Sequence, residues 1–293
     1  MAKCVIHRRA EFSASHRYWL PELSEAENIK NFGACTNFPG HGHNYVLYVG
    51  MAGEIDHTGM VLNLSDVKHT IAREVTSQLN FSFLNNTWAE FQQSLPTTEN
   101  IARVIWHRLA PYLPLVSIQL YEHPELWAEY QGKDMQAFLS IKTHFAAAHR
   151  LALDSLTLEE NTAIYGKCAR VHGHGHNYHV EITVAGEIDP RTGMMVDLVE
   201  LQRVVDEYVI EPMDHTFLNK DIGYFAEVVP TAENIAVYIQ KVLTQPIRNI
   251  GASLHCVKLI ESPNNSCEVY GPYQMSELEQ SLEEVLHQPL QKC

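Results

Sequence analysis

Apolar and polar residues alternate in Tyr178-His-Val-Glu-Ile-Thr-Val-Ala185, the period of two expected of a half-buried strand. The segment Gly186-Glu-Ile-Asp-Pro-Arg-Thr-Gly193 reads as a turn handing over to another short strand, so a hairpin is predicted here. The period then lengthens. Leu198, Leu201, Val205, Tyr208 and Val209 recur at helical spacing, and Thr231 is placed to cap a second helix carrying Ile235, Tyr238, Ile239 and Val242, with Glu233 in its first turn. Alternation returns over Leu254–Glu261. This order predicts an α+β domain, an antiparallel four-stranded sheet with two helices on one face. Further on, Ser276 to Leu286 suggests a short acidic helix to which no role attaches.

The pattern occurs twice. Phe12-Ser-Ala-Ser-His16-Arg17 matches Phe145-Ala-Ala-Ala-His149-Arg150, and at the same offset Cys35 meets Cys168 and Gly40-His-Gly-His-Asn-Tyr45 meets Gly173-His-Gly-His-Asn-Tyr178. Gly53-Glu-Ile-Asp56 pairs with Gly186-Glu-Ile-Asp189 and, after one inserted residue, Pro96-Thr-Thr-Glu-Asn100 with Pro230-Thr-Ala-Glu-Asn234. Each copy is long enough to fold by itself, so the chain reads as two fused homologous domains, 1–134 and 135–293, with the seam near Gly132-Lys-Asp134.

Composition narrows the partners. With 293 residues, 45% of them hydrophobic, and no run near the roughly 18 apolar residues of a membrane span, the chain is expected to be globular and cytoplasmic. Cys4, Cys35, Cys168, Cys256, Cys267 and Cys293 then read as free thiols rather than a disulfide framework. A net charge of −14 argues against nucleic acid and acidic membranes. A small anionic substrate would need a metal or a local cluster of cations.

His174 and His176 are one residue apart on a predicted strand, so both imidazoles leave the same face within reach of one ion. His149, on another strand, is the natural third ligand, and three neutral histidines with an open position are the ligand set of a catalytic zinc. His16, His41 and His43 repeat the set. A lone His-x-His signals little, but its recurrence in register with a third histidine and a cysteine points to zinc or a similar divalent ion. The scattered histidines read as ordinary; His172 alone, beside the pair, is a competitor.

Cys168, six residues before His174, is a candidate base or nucleophile whose thiolate a metal or cation would favour; elsewhere such a cysteine is more often a small buried hydrophobe. Asp214-His215 offers a carboxylate beside an imidazole, suited to proton transfer provided the pair sits in a turn. The first copy has Asn80-Phe81 instead, and neither residue exchanges protons near neutral pH. Glu261, with Glu122 as its counterpart, can take two parallel hydrogen bonds from an amidine-like edge such as that of a pterin. Thr231 and Glu233 are helix-start residues by default, and helix N-termini also bind polar groups.

Taken together, Phe-x-Ala-x-His-Arg, Gly-Lys-Cys six residues before His-Gly-His-Asn-Tyr, Gly-Glu-Ile-Asp-Pro-x-Thr-Gly-Met, Met-Asp-His-x-x-Leu-Asn, Pro-Thr-Ala-Glu-Asn and Leu-Ile-Glu resemble the 6-pyruvoyl-tetrahydropterin synthase family over nearly all of 138–272, and more loosely over 5–125. The resemblance implies the tunnelling fold, in which sheets from three domains close a barrel and two barrels stack, so a trimer of two-domain chains would make a pseudo-hexamer. It also implies a zinc-dependent carbon–oxygen lyase that converts 7,8-dihydroneopterin triphosphate to 6-pyruvoyl-tetrahydropterin with loss of triphosphate, as in tetrahydrobiopterin synthesis. In that chemistry His149, His174 and His176 hold zinc, Cys168 is the general base, Asp214 and His215 relay its proton, and Glu261 anchors the pterin.

The related 6-carboxytetrahydropterin synthase of the queuosine pathway, which releases acetaldehyde, has its cysteine four rather than six residues before the first ligand of the pair, so the spacing here favours the pyruvoyl product. Two other readings stand beside this one: a pterin-binding module without turnover, and cross-complementation in which the Cys35 site borrows Asp214 and His215 from a neighbouring second copy.

Overall fold

The computed structural model describes residues 3–271, and the acidic segment at 276–286 lies outside them. Two compact units are present: one runs to Ile141 and takes in Ala185–Leu201, the other comprises Lys142–Val184 and the chain from Gln202 onward.

In the first unit β1 (Lys3–His16) runs antiparallel to β2 (His41–Glu54) in unbroken register, from Lys3 opposite Glu54 to His16 opposite His41. A two-residue strand, β3 (Ser82–Phe83), adds parallel to β1 at Ala14 and Ser15. β4 (Leu115–His123) pairs antiparallel with β2 and β5 (Leu126–Tyr130) with β4, and the helix Thr98–Leu109 packs on β4 and β5. The strand β6 (Gln136–His149) begins in this unit, opposite β5, and continues into the second.

The second unit repeats the scheme with β7 (His174–Glu187), β8 (Thr216–Phe217), β9 (Ser253–Ser262) and β10 (Asn265–Tyr270) in the order β10-β9-β7-β6, β8 lying parallel to β6. The α+β class and the four long strands per copy are as the sequence pattern predicts. Alternation along β7 buries Tyr178, Val180, Ile182 and Val184 completely, and Phe145 of β6 stacks on Tyr178 with ring centroids 5.0 Å apart. Phe12 and Tyr45 repeat that stack at 4.9 Å.

Thr231 caps the helix Ala232–Asn249 by accepting the Asn234 N–H, and the helix buries Ile235, Ala236, Ile239, Leu243 and Ile247 against β9 and β10. Its stripe is rotated slightly from the expected one, since Tyr238 and Val242 are only half-buried. The other predicted helix begins at Leu198 and after Val205 passes into a π-helical turn, Asp206–Ile210, as its first-copy counterpart does at Ala72–Thr76.

The predicted hairpin does not form its second strand. Oδ1 of Asp189 instead accepts the N–H groups of Arg191 and Thr192, and Asp189 and Gly193 close the turn through backbone bonds of 2.8 Å. A side chain that offers hydrogen bonds to its own turn competes with ladder formation, and the chain proceeds from this turn directly to the helix.

Two short helices, Glu25–Phe32 and Leu158–Tyr165, were not anticipated, though each opens with a capping box, Ser24/Glu27 and Thr157/Glu160. Behind each stands a buried asparagine. Oδ1 of Asn161 accepts the Leu153 N–H, and its Nδ2 donates to the carbonyls of Leu153, Leu156 and Thr157. Replacing it strands buried backbone groups, so Asn161→Ala is expected to destabilise the protein by about 1–3 kcal/mol. The urea midpoint measures this, and an unchanged midpoint would show that the loop does not depend on that side chain.

Candidate metal centres and proton relay

The ligand histidines share a strand face with the core. On β7, His174 and His176 have the parity of buried Tyr178; on β6, His149 has the parity of Phe145. Gly173 delivers the chain to β7 with φ +63, and a Cβ there would lie 2.4 Å from the His149 carbonyl oxygen, so only glycine lets the ligand strand start so close. Gly40 does the same beside His16.

His149 Nδ1 donates to the Pro230 carbonyl at 2.8 Å, which leaves Nε2 as a lone pair facing His174 Nε2 at 3.1 Å. Tyr178 Oη adds a second polar neighbour of Nδ1 at 3.3 Å. In the first copy His16 Nδ1 donates to Pro96 O, and His16 Nε2 stands 3.2 Å from His41 Nε2. Burial holds the His149 and His174 imidazoles below their ordinary range and takes His16 down to about 4, so these rings favour the neutral, ligating form. Nε2 of His176 and of His43 are both buried with no hydrogen-bond partner among the described residues. Ring nitrogens that converge at 3.1–3.2 Å, and orphaned ring nitrogens at the same point, fit a divalent ion held by His149, His174 and His176 and another held by His16, His41 and His43.

The cysteine turns are tied to these strands. Cys168, part-exposed in the 3₁₀ turn Gly166–Ala169, accepts the Leu151 N–H on its carbonyl at 3.0 Å, and Arg150 Nε donates to Ala169 O. Arg17 Nε and Thr36 O, with Tyr18 N and Cys35 O, repeat both links. Burial, with the Glu122 carboxylate as a lesser cause, pushes the Cys35 thiol up to about 11. His172 is exposed and lies outside the metal clusters of the described residues.

Asp214 and His215 occupy the turn before β8. His215 has φ +57, its N–H bonds to Ala146 O, and its Nδ1 donates to Asp214 Oδ2 at 2.7 Å. Asp214 Oδ1 accepts the Ala146 N–H, and this bond, with His215, holds the carboxyl below its usual range. The imidazole is thus fixed in one tautomer with Nε2 free, and its side chain is 84% exposed on an open cavity of about 330 Å³ shared with His176. In the first copy Asn80 Oδ1 takes the Ser13 N–H, and Phe81 keeps φ +57 but carries nothing to titrate.

Glu261 Oε1 lies 3.8 Å from His149 Nε2 and 3.7 Å from His176 Nε2, at the metal cluster. Thr231 is engaged as a cap and Glu233 is exposed on the first turn of its helix. Their counterparts differ: in the first unit Thr97 donates to Gly193 O, and Glu99, buried and pushed up to about 7 by that burial, accepts the Met195 N–H at 2.9 Å.

A family profile, 6-pyruvoyl tetrahydropterin synthase, matches residues 5–133 and again 138–272. The chain belongs to that family, with its domain duplicated. It is 47% identical over 134 residues to the 6-pyruvoyl tetrahydrobiopterin synthase of Pongo abelii and 46% to that of Homo sapiens, each alignment covering 46% of this chain and 91% of the relative. A putative 6-carboxy-5,6,7,8-tetrahydropterin synthase of Archaeoglobus fulgidus is 31% identical over 134 residues, covering 46% of this chain and 96% of that one. The solved structure of 6-pyruvoyl tetrahydropterin synthase from Caenorhabditis elegans covers 47% of this chain and 98% of its own, at 34% identity and a TM-score of 0.45.

The residues that orient the ligands escaped the sequence reading. Tyr45 and Tyr178 were legible in principle, being two positions after a ligand on the same strand face; the Pro96 and Pro230 carbonyls were not, since backbone acceptors leave no mark in side-chain patterns. Loss of His176 is expected to remove one equivalent of divalent metal per chain. Metal analysis of zinc-loaded His176→Ala checks this, and undiminished content would refute the ligand assignment.

Proposed function

We propose that the second copy converts 7,8-dihydroneopterin triphosphate to 6-pyruvoyl-tetrahydropterin, eliminating triphosphate as a carbon–oxygen lyase, while the first copy, residues 1–134, does not turn over. The observation that carries this reading is the Asp214–His215 pair, hydrogen-bonded and open to the cavity that holds His176, where the first copy has Asn80 and Phe81.

Glu261 offers its carboxylate to the 2-amino and N3–H edge of the pterin, with Thr231 and Glu233 at the neighbouring helix start. Zinc, when bound by the three histidines, polarises the side-chain hydroxyls of the substrate. Cys168 takes a proton from the three-carbon side chain. His215 carries protons at Nε2, because Nδ1 is committed to Asp214, and the ionised carboxylate stabilises the imidazolium each time it forms. Cys168 stands six residues before His174, and the relatives named as pyruvoyl synthases are more similar to this chain than those named as carboxy synthases, which together favour retention of all three side-chain carbons. On the family pattern, three two-domain chains would supply the six domains of the assembly.

The decisive assay incubates zinc-loaded protein with dihydroneopterin triphosphate and identifies products by mass spectrometry, with acetaldehyde measured in parallel. A three-carbon side chain with triphosphate released supports the reading. A carboxypterin with acetaldehyde would transfer it to the queuosine reaction, and unchanged substrate would leave only binding. His215→Ala is expected to lower kcat by about 10²–10⁴-fold, the usual contribution of a positioned acid or base, whereas Phe81→Ala stays near the parent rate. Equal losses would contradict the assignment of turnover to the second copy.

A further inference from the structure

The copies also differ on the sheet face turned away from the metal ligands. Side chains alternate along a strand, so Arg9, Asn44, Tyr48 and Tyr121, opposite in parity to the buried Phe12, Tyr45, Leu47 and Leu120, share the other face of β1, β2 and β4. Together with His123 they line a cavity of about 500 Å³. Its wall is aromatic. Tyr121 stacks on Trp127 of β5 with ring centroids 5.1 Å apart and meets Tyr48 edge to face at 6.0 Å.

The polar groups beside this wall have protons to give. Arg9 lies opposite Tyr48 in the β1–β2 register and hydrogen-bonds both Tyr48 and Glu11, and a guanidinium with five N–H donors has more to offer than two partners take. Asn44 Oδ1 accepts the Ser13 hydroxyl, which leaves Asn44 its amide nitrogen to donate. His123 Nδ1 accepts the Glu125 N–H at 3.1 Å, so the proton of the neutral ring sits on Nε2. Glu11, which shares Arg9, is not among the residues lining the cavity. The second copy has none of this: Lys142, Glu181, Ile260, Ser262 and Ser266 stand at the positions of Arg9, Tyr48, Tyr121, His123 and Trp127. There Lys142 Nζ meets Glu181 Oε1 at 3.2 Å, so a carboxylate takes up the cation where the first copy has a ring.

We propose that the first copy binds a planar aromatic anion in this cavity, with its ring against Tyr48 and Tyr121 and its acceptor oxygens on Arg9, Asn44 and His123. A flat ring gains offset or edge-to-face contact with the two tyrosines, which a puckered aliphatic ring of equal charge does not. Aromatic faces attract cations as well, but Arg9 at the same wall repels them. The site lies across the sheet from His16, His41 and His43, so it is separate from the metal centre and independent of which copy turns over.

The test titrates the intact, zinc-loaded protein with anthranilate, a planar aromatic carboxylate whose own fluorescence reports binding, with cyclohexanecarboxylate as a non-planar competitor of the same charge. Saturable binding is expected that cyclohexanecarboxylate does not displace at equal concentration. Arg9→Gln and Tyr121→Leu are each expected to weaken it about tenfold, at unchanged zinc content, through loss of a charge-assisted hydrogen bond and of a ring contact. Lys142→Gln, at the aligned position of the second copy, leaves the affinity as it was. No saturable binding, equal displacement by cyclohexanecarboxylate, or an affinity that Arg9→Gln and Tyr121→Leu leave intact overturns the proposal. So does a loss on Glu261→Gln alone, which would put the probe beside the histidines of the second copy. None of these readings involves turnover, so an inactive protein that binds the probe as described would refute the enzymatic reading and leave this one standing.

Discussion

The parity of side chains along β2 and β7 is the constraint on which the rest depends. A strand sends alternate residues to one face, so the residues that fill the core, Tyr178 to Val184, fix where His174 and His176 point, and Tyr45 to Met51 do so for His41 and His43. The unbroken register of β1 on β2 then sets His16 opposite His41. A slip of one residue would move every imidazole to the other face and every core residue into water, so the hydrophobic core and the metal centre enforce a single register.

On this shared frame the copies differ in the side chains at the relay turn. The left-handed turn survives in both, at Phe81 and His215, although a non-glycine residue there costs of order 1–3 kcal/mol; the amide bonds to Ser13 and Ala146 hold it in place. Asn80 keeps the backbone hydrogen bond that Asp214 makes, so the exchange of Asp-His for Asn-Phe deletes proton chemistry without disturbing the turn. Thr98, in place of Ala232, donates its hydroxyl to Glu122 Oε2 at 2.6 Å.

Legibility followed the same division. The repeat, the strand faces, the Thr231-capped helix and the placing of Asp214-His215 in a turn could all be read from period and spacing. The hairpin expected at the Gly186–Gly193 turn was misread because Asp189 spends its side chain on its own turn, and the short helices were overlooked although Ser24/Glu27 and Thr157/Glu160 announce them. Glu122 was legible only as the counterpart of Glu261. Its partner, the Thr98 hydroxyl, lies twenty-four residues away in sequence, a tertiary contact that no local pattern encodes.

Two copies of common ancestry keep matching histidine sets, and under the proposed function only the second turns over. Turnover of dihydroneopterin triphosphate by zinc-loaded Cys168→Ala protein, in which Cys35 is intact, separates the two copies. Complete loss of product is the expected result. Product formed at a rate comparable to the parent's would show that the Cys35 copy works as well and would contradict that division.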